Sequence, residues 1–550
     1  MAATRGPARA PRSAMQVIDL APVIVLTAVG GVLVRWSRLP LPIFLVAVGA
    51  VASFVPGLDR VSIDPEVFLL LFIPPLLFAD ARVLPRRDLL RVLRPVLLLA
   101  LGLVVLTVVA VGYFFHWLIP SMPLAVAFTL GAIVSPTDAV ATVATTSTMP
   151  LPNRVAHIVN AESLLNDATG LVAFKLAVVT AVAASHVSMY EITGQFVVLS
   201  GGGMCVGIAI EWIGRKLRER LIRLEAGDPV VQTLLTVLVP YAAYLVAEAL
   251  HVSGILAVVA SGLWAGGQEV KGLSAESRRH AREVWRMIAW VFNGLVFVLL
   301  GLQLRHMLAG VANHDTLHLA AWAGALWVVL MALRLAWVWA SAHVRFRLHW
   351  GWAGGREGPD PKRMFLVGWA AVRGSITLAT ALSLPLLTQA GTPFPERDLV
   401  VFLAAATIIL TLALNGVPLP WIIRRLHARD DDHGAIEEGT ARAELARAAI
   451  AVVAPVARRT NDPEDRAFAN ALLSRYEGKV ELRELAPEAA ALRAAHIAAA
   501  RQLRLEAIAA ERERLRELLA ADAINDETAR LIEAELDERE LVSSADPDRG

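Results

Sequence analysis

The sequence predicts an all-α polytopic membrane protein: about thirteen transmembrane helices, inverted repeats with two broken crossing helices, and a helical cytoplasmic tail. Three observations carry this. Of the 550 residues, 56% are hydrophobic and the mean hydropathy is +0.55. The apolar residues fall into blocks near 20 residues long, the length that matches a hydrocarbon core of about 30 Å. Lys and Arg alternate between heavily and sparsely basic loops. The net charge of +2 says nothing by itself, and a single cysteine, Cys205, excludes an intrachain disulfide framework.

The spans run over 16–34, 40–57, 63–80, 91–119, 123–147, 155–183, 190–214, 230–249, 253–267, 284–304, 317–344, 364–388 and 399–423. The first follows Arg5, Arg9 and Arg12, with no small-x-small cleavage site before Arg35, and is read as a retained helix rather than a signal peptide. The fourth and eleventh are long enough to tilt, and the ninth is short. Basic residues follow the first span (Arg35, Arg38), the third (Arg82, Arg86, Arg87, Arg91, Arg94), the fifth (Arg154) and the seventh (Arg215, Lys216, Arg218, Arg220, Arg223). They also follow the ninth (Lys271, Arg278, Arg279, Arg282, Arg286) and the eleventh (Arg345, Arg347, Arg356, Lys362, Arg363). The intervening loops hold Arg60, Arg305 and Arg397. The positive-inside rule then puts the N-terminus outside and the C-terminus in the cytoplasm, at the expense of carrying the three N-terminal arginines across.

Residues 1–15 are an N-terminal tail, 16–425 the membrane domain and 430–550 a polar region rich in Ala, Leu, Arg and Glu. Its apolar residues recur at helical spacing, as in Ala510–Leu519, so it reads as amphipathic helices. It contains no nucleotide loop, metal-ligand cluster or short repeat.

Chemistry concentrates in the sixth span, Glu162-Ser163-Leu164-Leu165-Asn166-Asp167-Ala168-Thr169-Gly170. A carboxylate at mid-bilayer costs about 2.5–3.5 kcal/mol on insertion scales, so two within six residues point to an ion or proton pathway. On a helix, Glu162 and Asn166 share one face and Ser163 and Asp167 another, about 100° apart. The fifth span contains Ser135-Pro136-Thr137-Asp138. Proline removes a backbone donor and disturbs the helix, and broken helices offer free carbonyl oxygens to a cation. Arg334, deep in the eleventh span, needs a buried partner, for which Glu162 is the candidate. Arg373-Gly374-Ser375 makes the twelfth span a second broken helix. The fifth and twelfth spans run in opposite directions in the middle of three-span groups, the pattern of an inverted repeat.

These residues resemble a known family. Ser135-Pro136-Thr137-Asp138, Glu162–Gly170, Val372-Arg373-Gly374, the double-proline stretch Phe72–Asp80 and Phe292–Leu302 are similar, in order, to the motifs of NhaP- and NHE-like sodium/proton antiporters of the monovalent cation:proton antiporter superfamily. The resemblance covers about residues 16–425. It implies a plasma-membrane homodimer active in pH homeostasis, not an enzyme. It implies dimerisation helices within 16–80 and 190–304, and a mobile core within 91–183 and 317–425.

It implies that Asp167 exchanges cation for proton, that Ser163 and Thr137 add oxygens to Na⁺ or Li⁺, and that Asn166 stands where electrogenic relatives have a second aspartate. Glu162 would pair with Arg334, Asp138 and Arg373 would order the helix crossing, and Asp138 and Asn166 would belong with Asp167, Ser163 and Thr137 to the cation- and proton-binding set. The partners implied are membrane lipid and a second copy, with no nucleic acid and no cofactor beyond transported Na⁺ and H⁺. One departure stands out. The family's acid after the double proline falls at Ala79 here, and Asp80 comes one residue later, about 100° around the helix; the sequence leaves open whether Asp80 contacts the cation.

K⁺/H⁺ antiport and proton-coupled transport of another solute are the alternatives. An intramembrane aspartyl protease using Asp138 and Asp167 would carry Gly-x-Gly-Asp, which this chain lacks.

Overall fold

A backbone in lipid has no water to bond, so each crossing segment must satisfy its own N–H and C=O groups. The computed structural model describes residues 20–544 apart from 38, 59–64, 85, 147–148, 150, 184–188, 225–226, 268–272, 348–359, 389–390, 427–432, 485–486 and 522. The N-terminal tail, residues 1–15, lies outside the described residues. The described residues are helical, with one isolated bridge between Leu387 and Pro393. They form two units, Met1–Arg429 and Asp430–Gly550.

Each of the thirteen expected spans corresponds to a helix or to a pair of half-helices. In order they are α1 (Leu20–Leu33), α2 (Leu41–Ala52), α3 (Pro65–Val83), α4 (Arg86–Leu97, continuing through a π-turn at Leu98–Leu103 into Val104–Leu118), α5a (Leu124–Val134) and α5b (Ala139–Thr145), and α6 (Asn153–Ala183). Then come α7 (Met189–Arg223), α8 (Pro229–Ala249), α9 (Gly254–Gly266), α10 (Ala275–Gly310), α11 (Thr316–Arg347), α12a (Pro361–Trp369) and α12b (Ser375–Leu382). The last, α13, comprises Arg397–Thr411, a π-turn at Leu412–Gly416 and Leu419–Leu426. Among the described residues seven helices are long and apolar enough to cross a membrane, and the pair α5a–α5b, bent by 49°, makes an eighth. The helices α1, α2 and α9 are apolar but shorter.

Side-chain caps set several starts. Asp228 accepts from Val230 N and Val231 N at α8, Ser253 from Leu256 N at α9, Ser274 from Ser277 N at α10 and Asp360 from Lys362 N at α12a. Pro95 enters α4 just before its π-turn, and the loosened carbonyl of Leu98 accepts from Trp337 Nε1 of α11 at 3.0 Å.

Packing within α2, α3, α7, α9 and α10 is backbone to backbone. A Cβ on Gly49 would stand 2.2 Å from Val298 O, on Gly301 2.2 Å from Val46 O, on Gly207 1.9 Å from Ala257 O and on Gly266 2.2 Å from Arg82 O. Small residues at such crossings suit a solvent in which apolar burial gives little driving force. A second set, α4, α5a, α6, α11, α12 and α13, surrounds the broken segments; Leu99, Leu103, Val155, Ile158, Val338, Leu366 and Ile423 form its separate apolar cluster.

The second unit contains α14 (His433–Arg459) packed on α15 (Pro463–Glu484), and α16 (Pro487–Ala520) packed on α17 (Asp526–Ser544). Arg512 binds Asp537 and Glu540 at 2.5 and 2.6 Å, and Arg539 binds Glu511 at 2.8 Å, across the α16–α17 hairpin.

Candidate ion-binding site at the crossing of two broken helices

Breaking two helices leaves orphan backbone groups, and side chains and the facing backbone take up a set of them here. Pro136 has no N–H to give, and α5a stops at Val134. The backbones cross where Asp138 N donates to Val372 O at 2.7 Å. On the α12 side, Asn415 Nδ2 donates to Trp369 O and Ala371 O, Thr142 Oγ1 to Ala370 O, and Arg373 N to Thr411 Oγ1. On the α5 side, Thr137 N donates to Asn166 Oδ1 at 3.3 Å, Ala139 N donates to Ser163 Oγ at 3.0 Å, and Ser163 Oγ donates to Thr137 O at 2.6 Å.

The half-helix ends are sorted by charge. Two N-termini, which carry partial positive charge, converge on Asp138: its Oδ1 accepts from Ala141 N of α5b at 2.9 Å and its Oδ2 from Ser375 N of α12b at 3.2 Å. Released carbonyls converge on Arg373, whose Nε donates to Val134 O, the last residue of α5a, at 3.2 Å and whose Nη1 donates to Ala371 O, two residues beyond α12a, at 3.1 Å. Asp138 and Arg373 thus both stand at the crossing, each answering backbone groups rather than pairing with the other.

Glu162 and Arg334 meet as a buried bidentate pair, 0% and 2% exposed; Arg334 Nη1 binds Glu162 Oε1, and Nη2 binds Oε2 at 2.8 Å. The guanidinium also donates to Val367 O and Gly368 O, the last-turn carbonyls of α12a. A cation at a helix C-terminus is favourable, so Arg334 joins α6, α11 and the end of α12a.

Asn166, one turn beyond Glu162, turns its side chain to the α5 break, where its Nδ2 donates to Thr137 Oγ1 at 2.8 Å beside Ser163.

Asp167, 6% exposed, lies beside this network but outside it: among the described residues no hydrogen bond reaches its carboxylate. It lines a cavity of about 20 Å³, room for about one water, together with Thr137, Asp138, Ser163, Asn293, Ser375, Thr377 and Asp80. Asp80, about one turn from the end of α3, is exposed, so the cavity opens to the surface on the face where α3 ends. The position of Asp80, left open by the sequence, is therefore on the same cavity as Asp167. A Cβ on Gly374 would fall 1.7 Å from Asp138 Oδ2, which is why glycine stands at the entry to α12b.

Sequence reasoning missed Thr411 and Asn415. Both sit in an apolar span, and Asn415 lies in the π-turn, where its amide reaches carbonyls of the broken α12 and its Oδ1 accepts from Trp327 Nε1 at 2.9 Å. The signal was an Asn-Gly pair inside an otherwise apolar run.

Two discontinuous helices crossing at a buried carboxylate, within a unit of apolar helices, define an ion-coupled secondary transporter of the membrane. The family described as "Sodium/hydrogen exchanger, transmembrane" matches residues 23–425, and the chain belongs to that family of cation/proton antiporters. The chain is 35% identical over 521 residues to the sodium, potassium, lithium and rubidium/H⁺ antiporter of Bacillus pumilus, covering 92% of this chain and 74% of that protein. It is 35% identical over 519 residues to the uncharacterized Na⁺/H⁺ exchanger YjcE of Escherichia coli, covering 91% and 93%. The fold is similar to that of the sodium proton antiporter MjNhaP1 of Methanocaldococcus jannaschii, with a TM-score of 0.55, 18% identity, and coverage of 75% of this chain and 99% of that one.

Proposed function

We propose that this protein exchanges Na⁺ or Li⁺ for H⁺ by alternating access, one for one, with Asp167 as the exchanging carboxylate. The observation that carries the reading is a buried Asp167 whose carboxylate receives no hydrogen bond among the described residues, on a cavity shared with Thr137 and Ser163. Burial away from water disfavours a bare carboxylate, so Asp167 is neutralised by a proton or by a cation, and the two compete. The core carrying it reorients when neutralised and resists reorienting when bare. This couples the two fluxes without ATP.

The exchange is electroneutral on this reading because only one group on the moving core changes its charge. Asn166 cannot titrate and is bonded to Thr137. Glu162 is bound to Arg334. Asp138 is engaged by two helix N-termini. Asp80 sits on α3, in the frame rather than the core. The core is taken as the helices within 91–183 and 317–425, and the dimerisation frame as those within 16–80 and 190–304. The protein works as a homodimer in the plasma membrane, N-terminus outside, with residues 430–550 and the open face of the cavity on the cytoplasmic side, as the basic loops support.

A K⁺/H⁺ antiporter is the second reading, favoured by the potassium and rubidium in the name of the Bacillus relative. Everted vesicles with a pH-sensitive dye, given Na⁺, Li⁺ and K⁺ in turn, test both. Proton release driven by Na⁺ or Li⁺ is expected. A response to K⁺ alone favours the second reading, and no response to any of them points to a proton-coupled carrier of another solute.

A further inference from the structure

Lys175 of α6 and Glu248 of α8 meet at 2.8 Å, Nζ to Oε1, with side chains 46% and 36% exposed. The same Glu248 oxygen accepts from Gly254 N, the first residue of α9, at 3.2 Å. Glu248 is thus fastened across the α8–α9 corner, and Lys175 reaches it from the helix that carries Asp167. Lys175 lies eight residues beyond Asp167, about 12 Å along α6 at 1.5 Å per residue. It lies toward the face opposite the one where α3 ends and Asp80 is exposed. The cavity is therefore open on one face, while on the other face an ion pair ties α6 to α8.

We infer that Lys175 and Glu248 form a latch that holds the ion path shut on their own face and biases the carrier toward the state open at Asp80. The inference rests on the alternating-access reading, with α6 in the moving core and α8 and α9 in the frame. For the far face to open, α6 must shift against α8 and α9, and the pair must part. An exposed pair of this kind shifts an equilibrium about two- to fivefold. That is enough to set the resting state and too little to trap the carrier in it. The lysine suits the task, since its flexible stem lets the ammonium follow a moving carboxylate for part of the stroke.

The test places a cysteine on the cavity, Ile376→Cys, in the full chain with Cys205→Ala, and measures labelling by a membrane-impermeant maleimide from each face. Lys175→Met and Glu248→Gln are each expected to raise labelling from the Lys175 face about two- to fivefold relative to the Asp80 face. Glu248→Gln keeps an oxygen for Gly254 N–H and removes only the charge, so it decides the matter if Lys175→Met does not fold. The exchange Lys175→Glu with Glu248→Lys restores the pair without the acceptor for Gly254 N–H, and should move the ratio back toward that of the parent. A ratio unchanged in Glu248→Gln overturns the latch. The labelling needs no transported cation, so absence of exchange in the parent would count against antiport while the labelling still reads the latch.

Discussion

Arg334→Ala is expected to be among the most destabilising single changes in the membrane unit. It strands the Glu162 carboxylate at a site that is 0% exposed and removes the donors to Val367 O and Gly368 O at the end of α12a. Removing one partner of a buried pair costs about 3–5 kcal/mol. At about 2.1 cal/mol/K per residue, a unit of about 430 residues has an unfolding entropy near 0.9 kcal/mol/K, so Tm falls by about 3–6 °C. Adding Glu162→Gln removes the stranded charge and leaves the lost carbonyl bonds, each worth about 1 kcal/mol. The double variant should therefore recover roughly half of the loss. Gel filtration in detergent after a heating series measures both. A double variant whose loss equals the sum of the two single losses would falsify the pairing energetics.

Three further outcomes are expected. Asp167→Asn abolishes cation-driven proton movement in proteoliposomes and leaves the Tm within about 1 °C of the parent, since no hydrogen bond is lost; substantial remaining exchange would remove Asp167 from its role. Gly374→Ala drives a methyl into Asp138 Oδ2 and breaks the Ser375 N–H bond, so transport falls at least about tenfold and stability by about 1–3 kcal/mol; normal transport would show that the crossing tolerates displacement of Asp138. Na⁺-driven proton flux is indifferent to an imposed K⁺/valinomycin potential, and a sustained current during turnover would instead make Asp80 or Asp138 a second carrier.

Much of the crossing was legible in the sequence because breakers are local. Pro136 and Gly374 interrupt their own helices whatever surrounds them, and an arginine as deep as Arg334 demands an anion, of which Glu162 was the nearest in kind. What was not legible depends on how helices rotate against each other. Counting 100° steps along α3 does not settle whether Asp80 meets the cavity, since that depends on which side of α3 packs toward α6 and α12b. The partner of the Asn166 side chain, Thr137 at the α5 break, follows from how α6 docks, which no single-helix pattern encodes. Asp138 and Arg373 look like an ion pair on charge alone; their true partners, at and beside the half-helix ends, are backbone groups that a sequence does not display. Asn415 was hidden for the same reason, because its work is to serve carbonyls released elsewhere in the chain.

The glycine crossings among α2, α3, α7, α9 and α10 bear on how such a machine survives handling. Lipid tails and detergent tails compete with leucine for leucine, so side-chain contacts between helices weaken or strengthen with the amphiphile around them. A peptide backbone laid bare by Gly49, Gly207 or Gly301 touches another backbone at a distance no acyl chain can enter. Those contacts have no rotamers to reorder and no hydrocarbon to displace. This set of helices is thereby joined by the kind of contact least altered when detergent replaces the bilayer, and solubilisation should loosen the helices around the broken segments first.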